Sequence, residues 1–255
     1  MITVIYYDKL IESEKEKIKK TKEAFGKEFE FVGHIYNYLL ILPFSTGKLC
    51  DDSDINAIQI QDAFHQYIYE IPFKIRSIYK LLEIANYADA AILLRTLIES
   101  TLVYKFYISK NDGDGLSKYI LRKENPPSIH KIMKAVLPGF YDDVYSSLCE
   151  FTHGNIFAQT VFRSNVSANN TTTNINNIYH KWFYYVSNQT ISIIPCIFDM
   201  YDVVFPNNTI SENLELVKER KYVVDTILRF IEEMTANDAE KKSFYHYYKE
   251  LINRT

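Results

Sequence analysis

Arg95 and Glu99 stand four residues apart in a predominantly apolar run, Ala88-Asp89-Ala90-Ala91-Ile92-Leu93-Leu94-Arg95-Thr96-Leu97-Ile98-Glu99-Ser100-Thr101-Leu102-Val103-Tyr104. At about 100° per residue their side chains fall within about 40° of each other, on a face shared with Ala88, Ala91, Ile92, Ile98, Leu102 and Phe106. Leu93, Leu97, Tyr104 and Ile108 occupy the other side. A segment with no wide polar side is expected to be a buried central helix, which places two opposite charges inside the protein. Burying a charge is costly unless it is paired and hydrogen-bonded, and removing one partner of a buried pair typically costs about 3 to 5 kcal/mol. The pair therefore has either a structural or a chemical reason to be there.

A second group of chemically capable residues lies in Tyr141-Asp142-Asp143-Val144-Tyr145-Ser146-Ser147-Leu148-Cys149-Glu150-Phe151-Thr152-His153-Gly154. Gly154 suits the residue just past a helix end, which puts His153 beside the negative pole of the helix dipole. There the imidazole is either a satisfied cap or an acid/base group, since its proton affinity suits transfer near neutral pH. Cys149 precedes His153 by one turn, on the same face, in an arrangement that can hold a metal or form a thiolate pair. No second ligand pair with suitable spacing follows, so neither a metal site nor a cofactor is expected. Tyr145, Cys149 and Asn155 are candidate substrate contacts around His153.

Other motifs dissolve on inspection. Ser128-x-x-Lys131 has the Ser/Lys spacing of some acyl transferases but lacks their partner motifs, and Ser128 after Pro126-Pro127 reads as a helix cap. Asp51-Asp52-Ser53-Asp54-Ile55-Asn56 begins like a calcium loop but lacks its glycine and closing glutamate, so Ser53 or Asp54 is expected to cap a helix. Asn111-Asp112-Gly113-Asp114-Gly115 is read as a turn rather than a phosphate loop, because no strand precedes it and no Gly-Lys-Ser/Thr follows.

The elements that must position these residues are read as helices. The 255 residues are 47% hydrophobic and 24% charged, with only 7 Gly and 7 Pro, a composition that favours long helices with short connections. Helices are expected over about 8 to 42, 55 to 84 with a kink or break at Pro72, and 88 to 109. Further helices are read over about 115 to 123, 128 to 136, 139 to 153, 178 to 204 interrupted near Pro195, 211 to 235 and 237 to 252. Glu12 through Lys22 alternates Glu and Lys as a solvated face does. Ser164 to Asn177, rich in Asn, Thr and Ser, is read as a loop or lid. The fold class is all-α: a single-domain bundle of long antiparallel helices around a buried central helix. Within 1–255, residues 1–52 are the N-terminal helix and connection, 53–205 the core bundle and 206–255 a C-terminal helical pair.

The net charge of −3 excludes a generally basic, nucleic-acid-coating protein but not a local patch. From Lys105 to Lys134 the chain carries Lys105, Lys110, Lys118, Arg122, Lys123, Lys131 and Lys134 against Asp112, Asp114 and Glu124. Such a segment either holds a phosphate backbone, with Arg122 and Lys123 as candidate contacts, or consists of ordinary solvated helix faces. Phe244, Tyr245, His246, Tyr247 and Tyr248 read as core or dimer packing. Three cysteines, Cys50, Cys149 and Cys196, form no paired spacing, which points to a reducing compartment. With no signal-peptide pattern and no charge-free apolar span, a cytoplasmic protein without membrane contact is expected.

Arg95-x-x-x-Glu99 followed by Tyr145-x-x-Leu148-x-x-x-x-His153-Gly154 resembles an uncharacterised bacterial all-helical family, a domain of unknown function, over roughly residues 55 to 205. That family carries Arg-x-x-x-Glu and Tyr-x-x-Leu-Ser-x-x-x-His-Gly, and this chain has Cys149 at the serine position. The resemblance implies a helical bundle in which Arg95, Glu99 and His153 converge, and it implies no reaction. More loosely, the chain resembles HEPN effectors, helical RNA-cleaving proteins of toxin and phage-defence systems. That likeness implies metal-independent ribonuclease chemistry, with an arginine on phosphate and a histidine acting at the 2′-hydroxyl or leaving group. Here no arginine stands four to six residues before a histidine, so Arg95 would supply the charge from another helix. The function expected is an RNA-cleaving or RNA-binding effector with catalytic residues Arg95, Glu99 and His153, acting with RNA, as a homodimer or with a defence-system partner. The alternatives are a non-catalytic helical sensor or scaffold and a module for a small anionic ligand.

Overall fold

The computed structural model describes residues 2–47, 54–137, 145, 148–149 and 175–235. The expected 139 to 153 helix, except Tyr145, Leu148 and Cys149, lies outside the described residues, as do 164–174 of the expected loop and the helix expected at 237 to 252.

Among the described residues every regular element is helical, and the all-α bundle expected from composition is what forms. Helix α1 spans Ile2–Ile41 and leaves helical geometry at Phe25 (φ −127°, ψ 29°), where the ring is buried and stacks on Phe183 with centroids 3.7 Å apart. Its Glu/Lys run forms exposed i,i+4 pairs such as Glu16–Lys20 at 2.7 Å, as a solvated helix face does. Pro43 ends α1 in a 3-10 turn, Leu42–Phe44. The tyrosine hydroxyl of Tyr201 donates to the Leu42 carbonyl at 3.0 Å, and His65 Nε2 lies 3.0 Å from that of Pro43.

Helix α2, Ile55–Glu83, is capped by Asp54, which accepts from the Ala57 N–H at 3.2 Å. Pro72 lies inside it without breaking it, so of the expected kink or break no break occurs. Proline removes one backbone bond and crowds the preceding turn, but the apolar stripe Ile68, Ile71, Ile75, Ile78 and Leu82 continues buried on both sides. Ala85 then turns the chain in the left-handed region (φ 59°), with its N–H on the Leu82 carbonyl and that of Asn86 on Leu81, the paired closure of a Schellman motif. Asn86 caps α3, Tyr87–Ser109, so α2 and α3 form an antiparallel hairpin.

Helix α3 is central but not buried all round. Asp89, Ile92, Leu93 and Thr96 face outward, and Arg95 and Glu99 stand beside that stripe with side chains 21% and 36% exposed. The expectation that both charges sit inside is corrected accordingly. Apolar Ile92 and Leu93 disguised the outer face, because no described element covers them.

Helix α4, Gly113–Ile120, follows the left-handed Asn111 (φ 52°). The two glycines assigned to the turn lie instead in its first helical turn. A Cβ on Gly113 would stand 2.9 Å from the Asn56 Cα, so glycine permits α4 to press against the start of α2. Helices α5, Ile129–Val136, α6, Ile175–Ser192, α7, Ile194–Val204, and α8, Leu214–Thr235, complete the described chain. Pro195 lies in the first turn of α7, where its missing N–H has no intrahelical role.

One hydrophobic core runs through the bundle, from Phe25 of α1 to Ile227 of α8. Polar ties cross it: Tyr79 to Ser187 at 2.6 Å, Gln61 Nε2 to the Val204 carbonyl at 3.0 Å, Lys105 of α3 to Asp199 of α7, and Arg220 of α8 to Asp202 of α7. No described helix is long and apolar enough to cross a membrane.

Glu83 closes the α1–α2 contact, its oxygens 2.7 Å from Lys22 Nζ and 2.6 Å from Lys80 Nζ. Burial alone would raise its pKa, but the hydrogen bonds from Lys22 and Lys80 outweigh burial and hold it below the ordinary 4.5. The unfolded chain therefore takes up this proton first as pH falls. The stabilisation is complete above the unfolded value and is lost as pH drops through the folded one. Urea midpoints should accordingly fall less between about pH 7 and about pH 4 in Glu83→Gln than in the wild type. At neutral pH, Glu83→Gln should be the less stable protein.

Candidate functional site

Spacing along α3 brings Arg95 and Glu99 together: Arg95 Nε donates to Glu99 Oε1 at 2.7 Å. The same carboxylate oxygen accepts the Tyr145 hydroxyl, and the Arg95 guanidinium lies over the Tyr145 ring, 5.4 Å from its centroid. Three groups thus form a closed triangle, with one oxygen receiving two donors and an arginine held by a carboxylate and an aromatic face. Burial, then the hydrogen bond and charge of Glu99, push the Tyr145 hydroxyl well above its ordinary pKa, so it remains a donor.

Tyr145 and Leu148 are fully buried, while Cys149 is half-buried with an unoxidised thiol. The Tyr145 hydroxyl ties that residue to α3. Cys149 adds a negative influence on Tyr145, consistent with its place one turn farther on. His153 and Asn155, assigned as catalytic and substrate-contacting, lie outside the described residues.

A fourth residue escaped the sequence reading. Tyr119 of α4 is half-buried, and its hydroxyl is pushed up by burial and by the charge of Glu99; its ring lies 6.4 Å from that of Tyr107. In sequence it is only an aromatic three residues after Leu116, indistinguishable from a core residue. It nonetheless brings the end of α4 into the electrostatic reach of Glu99, three residues before Arg122.

The basic segment divides once its contacts are known. Lys105 points inward to Asp199, a correction to its place in a surface patch. Lys118 pairs with Asp114 and Glu124, and Lys110 lies over the Phe106 ring. Arg122, Lys123, Lys131 and Lys134 remain exposed and make no ion pair with any described residue.

Arg122 is also held at φ 55°. Its N–H reaches the Tyr119 carbonyl at 3.0 Å, and that of Lys123 reaches Lys118 at 2.8 Å. This is again the Schellman closure, whose left-handed residue is most often glycine. For a residue with a Cβ that conformation costs roughly 1 to 2 kcal/mol. Among the described residues no group of three or more His, Cys, Asp or Glu side chains is arranged to hold a metal ion.

Comparison with models of known protein families, with curated proteins and with solved structures yields no match for this chain.

Proposed function

We propose that the protein is an RNA-binding effector that cleaves its RNA, with Arg95 as the phosphate contact and Glu99 and Tyr145 as the residues that hold it in position. The observation that carries this reading is the part-exposed guanidinium of Arg95, oriented by Glu99 and the Tyr145 ring. Phosphate recognition favours a planar, pre-oriented arginine, and unpaired surface cations supply the sequence-independent part of RNA affinity. In this reading His153, from the motif it shares with Tyr145 and Leu148, moves the proton. The 2′-oxygen attacks phosphorus, the 5′-oxygen leaves, and Arg95 meets the charge that develops on the phosphate.

Arg122→Gly separates function from folding. Glycine relieves the left-handed strain, so the variant should be more stable by about 0.5 to 1 kcal/mol after the gain in unfolded-chain entropy is subtracted. Its affinity for a labelled single-stranded RNA should fall, with a shallower dependence on salt. Arg95→Ala should weaken binding further and abolish cleavage. RNA left unbound and intact, with and without added divalent metal, together with growth toxicity unchanged by His153→Ala, would exclude the proposal.

A scaffold role is the second reading, favoured by the full burial of Tyr145 beneath its bond to Glu99. On that reading Arg95→Ala lowers the melting temperature and changes nothing in an RNA assay.

A further inference from the structure

The connection from α7 to α8 and the first half of α8 border a cavity of about 370 Å³ that shares no residue with the Arg95 triangle. Ile210 and Ser211 line it from the connection, and Val217, Arg220, Lys221 and Val224 line it from the helix. The four helix positions fall at i, i+3, i+4 and i+7, so they share one face. Both walls are fixed in advance. The Thr209 N–H on the Ser45 carbonyl fastens the connection to the segment after α1. Asn208, at the rim, commits its amide to the turn, donating to the Phe205 carbonyl at 2.9 Å and accepting from the Ile210 N–H at 3.3 Å. Arg220 is held by Asp202 and Phe198.

A cavity of this size suits a small ligand, and its lining indicates the kind. Ile210, Val217 and Val224 form an aliphatic side, and among the described residues no aromatic ring is present to stack a nucleobase. Arg220 and Lys221 bring two positive charges, and among the described residues no carboxylate lines the cavity with them. Asp202 takes two N–H donors of Arg220 and offsets its charge. Lys221 is exposed and makes no ion pair with any described residue. One positive charge is therefore left over at the cavity. We infer that this cavity binds a small aliphatic carboxylate, its head group on the Lys221 ammonium and its chain against Ile210, Val217 and Val224. A monoanion balances the single surplus charge, and a short chain covers side chains that water cannot hydrogen-bond. The Ser211 hydroxyl, which bonds no described residue, supplies a second donor to the head group. A phosphate dianion would bring a further negative charge with no cation left to meet it, and a neutral ligand would leave the ammonium unused.

Chemical-shift titration of the isotope-labelled full chain with hexanoate, hexanol, acetate and inorganic phosphate tests this. Hexanoate should bind with a dissociation constant of about 5 mM or tighter, with the largest shifts around Ser211 and Lys221. Hexanol lacks the charge, acetate lacks the chain and phosphate lacks the chain and adds charge, so each should bind at least about fivefold more weakly. Lys221→Glu should weaken hexanoate at least about tenfold, whereas Lys221→Arg should stay within about threefold of wild type. Val217 is 40% exposed, and Val217→Asp, which sets a carboxylate where the chain lies, should abolish binding. Circular dichroism melts check that the variants fold, and the four-ligand comparison needs no variant. Three results overturn the inference: no hexanoate binding up to about 20 mM, hexanol or phosphate binding as tightly as hexanoate, or a folded Lys221→Glu that binds like the wild type. Hexanoate shifts centred away from α8 do so as well. None of these outcomes depends on whether the protein acts on RNA.

Discussion

Asp202→Ala is expected to destabilise the protein by about 3 to 5 kcal/mol, a fall in melting temperature of roughly 6 to 20 °C for a chain of this size. Asp202 receives two donors from Arg220, with Nη1 3.0 Å from Oδ1 and Nη2 on Oδ2, and the two side chains are only 14% (Arg220) and 28% (Asp202) exposed. The guanidinium lies over Phe198, and its buried Nε, like the buried Tyr38 hydroxyl, has no hydrogen-bond partner among the described residues. Alanine at 202 therefore leaves a cation in apolar surroundings with no carboxylate, and neither Phe198 nor Tyr38 can neutralise it. Replacing both partners with leucine should be far milder than either single change predicts, because no buried charge is then left behind. Chemical denaturation of the two single variants and the double variant measures this as a coupling energy.

Gly47→Ala should cost about 2 to 5 kcal/mol, the combined expectation for left-handed strain and a steric overlap in a packed place. Gly47 has φ +69°, and an added Cβ would overlap the Asn207 carbonyl oxygen and lie 2.8 Å from its carbon. Both obstacles are backbone, so neither can swing aside. The Ser45 carbonyl accepts the Thr209 N–H at 3.0 Å in the same place, pinning the segment after α1 to the turn between α7 and α8. A variant as stable as wild type in urea would mean that this turn shifts freely. The contrast with Arg122→Gly is instructive: both positions are left-handed, but only Gly47 is also crowded.

Much of the architecture was legible because helical periodicity survives in single residues. In α2, Ile60, Phe64, Ile68, Ile71, Ile75, Ile78 and Leu82 return to one side at helical spacing, and all are buried. Pro72 and Pro195 show the limit of that reading. Pro195 falls where a helix starts, so its effect was local and readable, whereas Pro72 is carried by buried neighbours that periodicity does not weigh against it. Leu93 and Ile92 misled for a related reason: an apolar side chain announces contact but not with what, and here the face they mark is open.

The site was legible as far as chain-local geometry extends. Four residues of helix sufficed to join Arg95 and Glu99. The bond from Tyr145 crosses 46 residues and was not foreseen, since Tyr145 was expected as a substrate contact rather than as a donor to Glu99. Tyr119 near Glu99, Asp199 beside Lys105 and Asp202 beside Arg220 carried no local signal, since each pairing is decided by how helices cross. Lys105 was misplaced on the surface because a lysine in a basic stretch looks the same whether its head meets water or a carboxylate.

The left-handed residues that close α2, α3 and α4 are Ala85, Asn111 and Arg122, and none is the glycine that would make such a turn easy. Each turn is therefore disfavoured in an isolated segment and becomes favourable only once the helices on either side have packed. Local structure at these three corners cannot run ahead of the core. The hairpin and α4 should fold together with the rest of the bundle, in a single cooperative step, rather than zipping from turn to turn along the chain.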